Sequence, residues 1–133
     1  MNYIVLDMEW NQPWPGSPSA KKVLPVQIRG EILQIGAVRV TEDQQVADEF
    51  QVLIRPKYYR RLNRRVSKLT GIKESQLREE GVPMEEAMES FRNWCGEDVT
   101  FLTWALMILP SCGKTSSCTA WSMAGWIGGI MRR

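Results

Sequence analysis

The chain has no histidine, and only three of its 133 residues are cysteine. Without histidine, the cysteines have no partner for a Cys/His metal site. The three cysteines, Cys95, Cys112 and Cys118, are odd in number, so they do not make a complete set of disulfides. Their spacing is not that of paired zinc ligands either. Cysteine usage therefore predicts a reducing, cytoplasmic setting.

The chain also lacks a long apolar run. Residues 121–131 form the longest one near the end, and they are too few to cross a bilayer. Asp7 and Glu9 interrupt the apolar start, which argues against a signal peptide. With 44% hydrophobic residues, the composition predicts one small soluble domain with no membrane partner.

Charge is unevenly distributed, although the net charge is only +2. Residues 55–73 carry eight basic side chains and no acid, whereas residues 74–98 carry eight acids and two arginines. A basic stripe near the carboxylates of Asp7 and Glu9 suits a polyanion such as nucleic acid. The alternative is a solvated turn and helix face.

Two carboxylates follow the first apolar run, Tyr3 to Leu6, with one apolar residue between them: Asp7-Met8-Glu9. Alternate side chains of a strand share a face, so the two acids lie on one side, roughly 7 Å apart along the strand. Hard divalent cations such as Mg²⁺ and Mn²⁺ prefer carboxylate oxygen. The triplet predicts half of a metal site, or simply the solvated end of a strand.

Further strands are predicted over residues 32–40 and 46–54, joined by a polar turn at 42–45 into an antiparallel pair. The proline-rich segment 10–18 excludes a helix and predicts a surface loop across the mouth of the site.

Helices are predicted over residues 63–69, which Gly71 ends, and over 73–78. A longer one begins with Pro83 and runs to Cys95, and its apolar stripe consists of Ala87, Met88, Phe91, Trp94 and Cys95. A strand at 100–104 follows, parallel to the first by a right-handed crossover.

Five segments of the chain, in their order and spacing, resemble the DEDDh (DnaQ-like) 3′-to-5′ exonucleases of the ribonuclease-H-like superfamily. They are Val5–Asn11, Glu31–Val38, Arg55-Pro56, Leu69–Ile72 and Leu102–Trp104. The branch that is most similar contains the histone-mRNA exonucleases and their bacterial relatives. The resemblance implies an α/β fold: a ribonuclease-H-like mixed sheet with flanking helices, incomplete at the C-terminus.

The resemblance also implies a chemistry. In that family two Mg²⁺ or Mn²⁺ ions orient a water against the terminal phosphodiester bond. Asp7 and Glu9 occupy the catalytic, metal-binding positions of the first motif. The implied contacts to the terminal nucleotide are Met8, Trp10, Leu69 and Thr70. The implied partner is the 3′ end of single-stranded RNA or DNA.

The resemblance stops after Trp104. Ile108 stands where the family has its second-motif Asp, and the third-motif His and Asp are missing, since residues 105–133 contain no acid and no histidine. We therefore divide the chain into residues 1–104, the N-terminal part of an exonuclease domain, and 105–133, an aberrant tail that is out of frame or poorly ordered. Restoring one nucleotide after codon 104 would make codon 108 GAT, which encodes Asp.

Three functions remain open. The first is a two-metal 3′-to-5′ exonuclease domain of very low activity, because two of its four metal carboxylates and its general base are missing. The second is a non-catalytic nucleic-acid-binding or regulatory remnant that uses residues 55–73. The third is a chain that does not fold stably.

Overall fold

The structure, a computed structural model, describes residues 2–25, 28 and 30–103. Its elements are β1 (Asn2–Asn11), β2 (Glu31–Val40), β3 (Val46–Leu53), α1 (Arg64–Thr70), α2 (Glu74–Glu79), α3 (Met84–Cys95) and β4 (Val99–Leu102). The predicted tail, 105–133, and Trp104 lie outside the described residues.

The four strands form one mixed sheet in the order β3-β2-β1-β4. β2 pairs antiparallel with both β1 and β3, whereas β4 lies parallel to β1. α3 makes the crossover between β3 and β4. This sheet with flanking helices confirms the α/β, ribonuclease-H-like architecture predicted from the sequence.

β1 extends further than predicted. A surface loop was predicted from residue 10, but the pairing of β1 with β2 continues to Asn11, with Asp7 opposite Gly36 and Glu9 opposite Gln34. The register shifts between Glu9 and Trp10, as at a β-bulge. The two acids therefore lie within a paired strand, because the partner strand supplies backbone hydrogen bonds irrespective of side-chain polarity.

The main core lies between α3 and one face of the sheet. Ile4, Leu6 and Met8 of β1 are buried there. The predicted stripe of α3 packs on them, with Trp94 only partly buried and the rest buried: Ala87, Met88, Phe91 and Cys95. Pro83 is the N-cap of α3 rather than its first helical residue.

The two short helices pack on a second, smaller cluster. Leu33, Ile72 and Leu77 are its buried members, and Leu53 packs against them. Leu53 pairs with Gln34, which in turn pairs with Glu9. The helices α1 and α2 therefore border the sheet face that bears the acids, opposite the main core.

Local signals explain the ends of α1. The side chain of Asn63 accepts a hydrogen bond from the N–H of Arg65, and Gly71 ends the helix at a φ of 76°. Gly71 ends the helix as the sequence predicted, whereas Asn63, predicted to be its first residue, is the N-cap. None of the helices in the described ranges is long and apolar enough to cross a membrane.

Candidate active site

Asp7 and Glu9 share the sheet face that α3 does not cover. Asp7 is exposed and Glu9 is half-buried. The N–H of Met8 donates a hydrogen bond of 3.0 Å to Asp7 Oδ1. Gly36, the partner of Asp7 on β2, has nothing within 4 Å of where a Cβ would stand. Space is therefore open beside the Asp7 carboxylate.

A shallow cavity of about 750 Å³ extends from Asp7 across β2 to β3. Its lining includes Val5, Val38, Glu49 and Gln51. A second cavity of about 540 Å³ lies between β3 and the α1–α2 junction, and it shares Gln51 with the first. The two cavities together follow the acid-bearing face of the sheet.

The pKa of Glu9 is raised above its usual value, first because the carboxyl group is partly buried and second because Asp7 is negatively charged. A divalent cation between the two carboxylates would relieve the repulsion. The pair therefore has the electrostatic character of a cation site.

Two carboxylates fit one hard cation. Mg²⁺ is usually held by one or two carboxylates, with water and substrate phosphate in the other positions. In the part of the chain that the structure describes, no group of three or more His, Cys, Asp or Glu side chains could hold a metal ion. The described residues thus suit one ion rather than two. Position 108, where the family has its second-motif Asp, lies outside the described residues.

The four residues expected to contact a nucleotide lie in different environments. The Met8 side chain is buried in the main core, and Trp10 packs partly buried against it. Leu69 is 84% exposed at the end of α1. The Thr70 hydroxyl donates to Val66 O at 2.8 Å and accepts from the N–H of Ile72 at 3.1 Å. Their substrate roles stay predictions.

Asn11 anchors the basic segment to the end of β1. Its side chain is buried, and Nδ2 donates to Tyr59 O at 2.8 Å and Arg61 O at 2.9 Å. Its Oδ1 accepts from the N–H of Asn63 at 3.0 Å. All of its amide groups are satisfied, so Asn11 fixes this segment relative to Glu9.

Glu31, the strand partner of Asn11, supplies a second anchor. Its carboxylate accepts hydrogen bonds from the backbone N–H groups of residues 57–59, at 2.5–3.0 Å. Glu74 binds the same segment in the same way, since its Oε1 accepts from the N–H of Leu62 at 2.7 Å. Both acids thus hold the backbone and leave the neighbouring basic side chains free to face solvent.

Sequence reasoning missed Asn11 and Glu31. A polar residue at the end of an apolar strand was the available signal for Asn11. For Glu31 the available signal was its position as the first acid after an acid-free stretch that begins at Trp10.

In a comparison with known families, the model of the exonuclease family RNase_T matches residues 4–103. Among curated proteins, none matches the chain.

Solved structures share the fold at low sequence identity. The nuclease domain of 3′hExo, described as a DEDDh family member bound to rAMP, is 19% identical with a TM-score of 0.61, over 77% of this chain and 50% of that one. A 3′-exonuclease that recognises the histone mRNA stem-loop is 18% identical with a TM-score of 0.63, over 79% of this chain and 36% of that one. E. coli Exonuclease I with a dT13 oligonucleotide is 13% identical with a TM-score of 0.57, over 77% of this chain and 20% of that one. The chain therefore spans half or less of each of these proteins.

Proposed function

The chain belongs to the exonuclease family whose model matches residues 4–103, and on that premise we propose that it acts on nucleic acids as a 3′-to-5′ exonuclease domain. The observation that carries the proposal is the Asp7 and Glu9 pair, which projects from the uncovered face of the central sheet within the matched region. The solved structures of similar fold support it, since two of them are described as 3′-exonucleases or their nuclease domains.

Asp7 and Glu9 would hold Mg²⁺ or Mn²⁺. When bound, the ion neutralises phosphate charge and activates water, and the family resemblance implies two such ions. The chain's own groups then position the substrate. Leu69 offers an exposed apolar contact, and Trp10, Thr70 and the backbone at Met8 border the terminal nucleotide. The substrate that we propose is the 3′ end of single-stranded RNA or DNA.

We expect very slow turnover. The sequence has Ile108 at the position of the second-motif Asp. Members of a catalytic unit act together, so losing one commonly lowers kcat by orders of magnitude.

Mn²⁺ binding and trimming of a labelled oligonucleotide test the proposal separately. We expect Mn²⁺ to raise the Tm of the chain and to have little effect on Asp7→Ala. Glu89→Ala, which removes an exposed acid from α3, is the matched control and should keep the Mn²⁺ response. Equal responses in all three proteins would refute the site. Brisk trimming that Asp7→Ala abolishes would refute the expectation of slow turnover.

A second function, binding of nucleic acid without cleavage, is favoured by the basic segment 55–73. Its arginines at 60, 61, 64 and 65 are exposed. Salt-sensitive binding of an oligonucleotide with no trimming in Mn²⁺ would support this function over the first.

A further inference from the structure

A second exposed surface begins just beyond the acid-bearing strand. We call it the basic surface, and it consists of Trp14, Lys22, Arg60, Arg61, Arg64 and Arg65, all of them exposed. Two hydrogen bonds connect the two chain segments that form this surface. Lys22 Nζ donates to Tyr58 O at 3.4 Å, and Asn63 Nδ2 donates to Gln12 O at 3.1 Å.

Trp14 is the unusual member of the basic surface. Its side chain is 54% exposed, although burying an indole is strongly favourable. The guanidinium of Arg65 lies over its ring, 5.7 Å from the ring centroid. Trp10, in contrast, packs partly buried against the main core. Trp14 therefore presents an accessible aromatic surface beside a positive charge.

In the described part of the chain, no ion pair neutralises the side chains of the basic surface. Residues 10–30 and 55–73 contain no acid. Glu31 and Glu74, which approach the segment, bind its backbone N–H groups. Arg39 and Asp48 form an ion pair elsewhere in the described ranges, and no ion pair there involves the basic surface. Such a surface is complementary to phosphate groups.

The basic surface is fixed relative to the carboxylate pair. Asn11 lies two residues after Glu9, roughly 7 Å further along the strand. Its buried amide binds the carbonyl groups of Tyr59 and Arg61 directly. A strand of nucleic acid that ends at Glu9 can therefore continue over the basic surface without rearrangement of the chain.

We propose that the basic surface binds the nucleotides on the 5′ side of the terminal one, with a base stacked on Trp14 and phosphates paired with the arginines. This inference rests on the proposed function, because it takes the 3′ end to lie at Asp7 and Glu9. Aromatic stacking combined with a basic groove is a common way to bind single strands without sequence preference.

Fluorescence anisotropy of the full chain in EDTA, with labelled single strands of two and twelve nucleotides, tests the stacking contact. Trp14→Ala should weaken binding of the twelve-nucleotide strand by about tenfold and leave the dinucleotide unchanged. Trp14→Phe should restore most of the affinity. Val23→Ala, a change at a 94% exposed position in the same loop, is the matched control and should have no effect.

The arginines are tested by the salt dependence of the same binding. The double variant Arg64→Ala/Arg65→Ala should reduce the slope of log K against log salt by about 1.4, because each phosphate contact with a single strand contributes about 0.7. Arg92→Ala, which removes an exposed charge from α3 on the other side of the sheet, should leave the slope unchanged.

Several results would overturn the proposal: equal affinity of Trp14→Ala and wild type, no preference for the longer strand, or an equal effect of Trp14→Ala on a blunt duplex. Failure to bind the longer strand at all would also overturn it. The Mn²⁺ response that depends on Asp7 is measured without nucleic acid. The proposed function and this inference can therefore fail independently.

Discussion

At the residue scale, Glu9 connects the site to the stability of the fold. Its pKa is raised by partial burial and by the charge of Asp7. The folded state therefore binds its proton more tightly than the unfolded state does. The free energy of unfolding is then highest below the unfolded pKa and falls as pH rises through the folded pKa.

Glu9→Gln should consequently raise the Tm at pH 7 in EDTA, because the variant removes both the buried charge and its repulsion from Asp7. The difference should disappear below about pH 4, where the wild-type carboxyl is protonated. Circular dichroism melts at several pH values measure this. Glu89→Gln on α3 is the control for removing an exposed charge. A variant that melts at a lower temperature than wild type at pH 7 would contradict the argument.

Sequence alone placed Asp7 and Glu9 on one face, because strand alternation depends only on spacing. It did not reveal the roles of Asn11 and Glu31. Asn11 binds backbone groups 48 to 52 positions away. Every residue carries such groups, so no side-chain pattern in the distant segment marks them as partners.

At the element scale, Gly81 determines how closely the end of α2 approaches Arg55, two residues after β3. A Cβ at position 81 would stand 2.2 Å from Leu77 O and 3.0 Å from the N atom of Arg55. Backbone atoms surround the position, so a side chain can be accommodated only if an element moves.

Gly81→Ala should therefore lower the free energy of unfolding by about 1–3 kcal/mol, as other overpacking changes do. Gly36→Ala is the matched substitution, because its Cβ would meet nothing within 4 Å. We expect it to change stability by no more than about 0.5 kcal/mol. Urea denaturation compares the two variants with wild type. Similar losses in both would show that packing at Gly81 is not the cause.

Elements were predicted well where periodicity and end signals agreed. α3 was found from its apolar stripe, and the end of α1 from Gly71. The end of β1 was predicted two residues early, since the proline-rich segment 10–18 was predicted as a loop. Whether a strand continues depends on its partner, and here β2 pairs as far as Asn11. The hairpin turn was located, but not the left-handed φ of 64° at Gln44, since that residue type does not signal it.

At the scale of the whole molecule, the described residues pack into two clusters of unequal size. The main core joins α3 to the sheet, whereas α1 contributes no buried residue and packs beside the small cluster of Leu33, Ile72 and Leu77. Local stability follows the amount of buried apolar contact. The α1 region should therefore open more easily than the sheet.

Hydrogen–deuterium exchange measured by mass spectrometry checks this. Peptides from α1 should exchange at least about tenfold faster than peptides from β1 and from α3, which has four buried residues. Uniform slow exchange would contradict the division into two clusters. An absence of protected amides throughout would instead support the third interpretation of the sequence, a chain that does not fold stably.

The alternation of side chains along β1 has a consequence for how this region tolerates changes in length. Ile4, Leu6 and Met8 face the core, while Asp7, which lines the cavity, and Glu9 face the other side of the sheet. A single-codon insertion or deletion between Tyr3 and Leu6 would exchange the two faces for part of the strand and bring acids against α3. A two-codon change would keep each side chain on its own side. Gene variants in this stretch should therefore be judged by whether the number of codons gained or lost is odd or even.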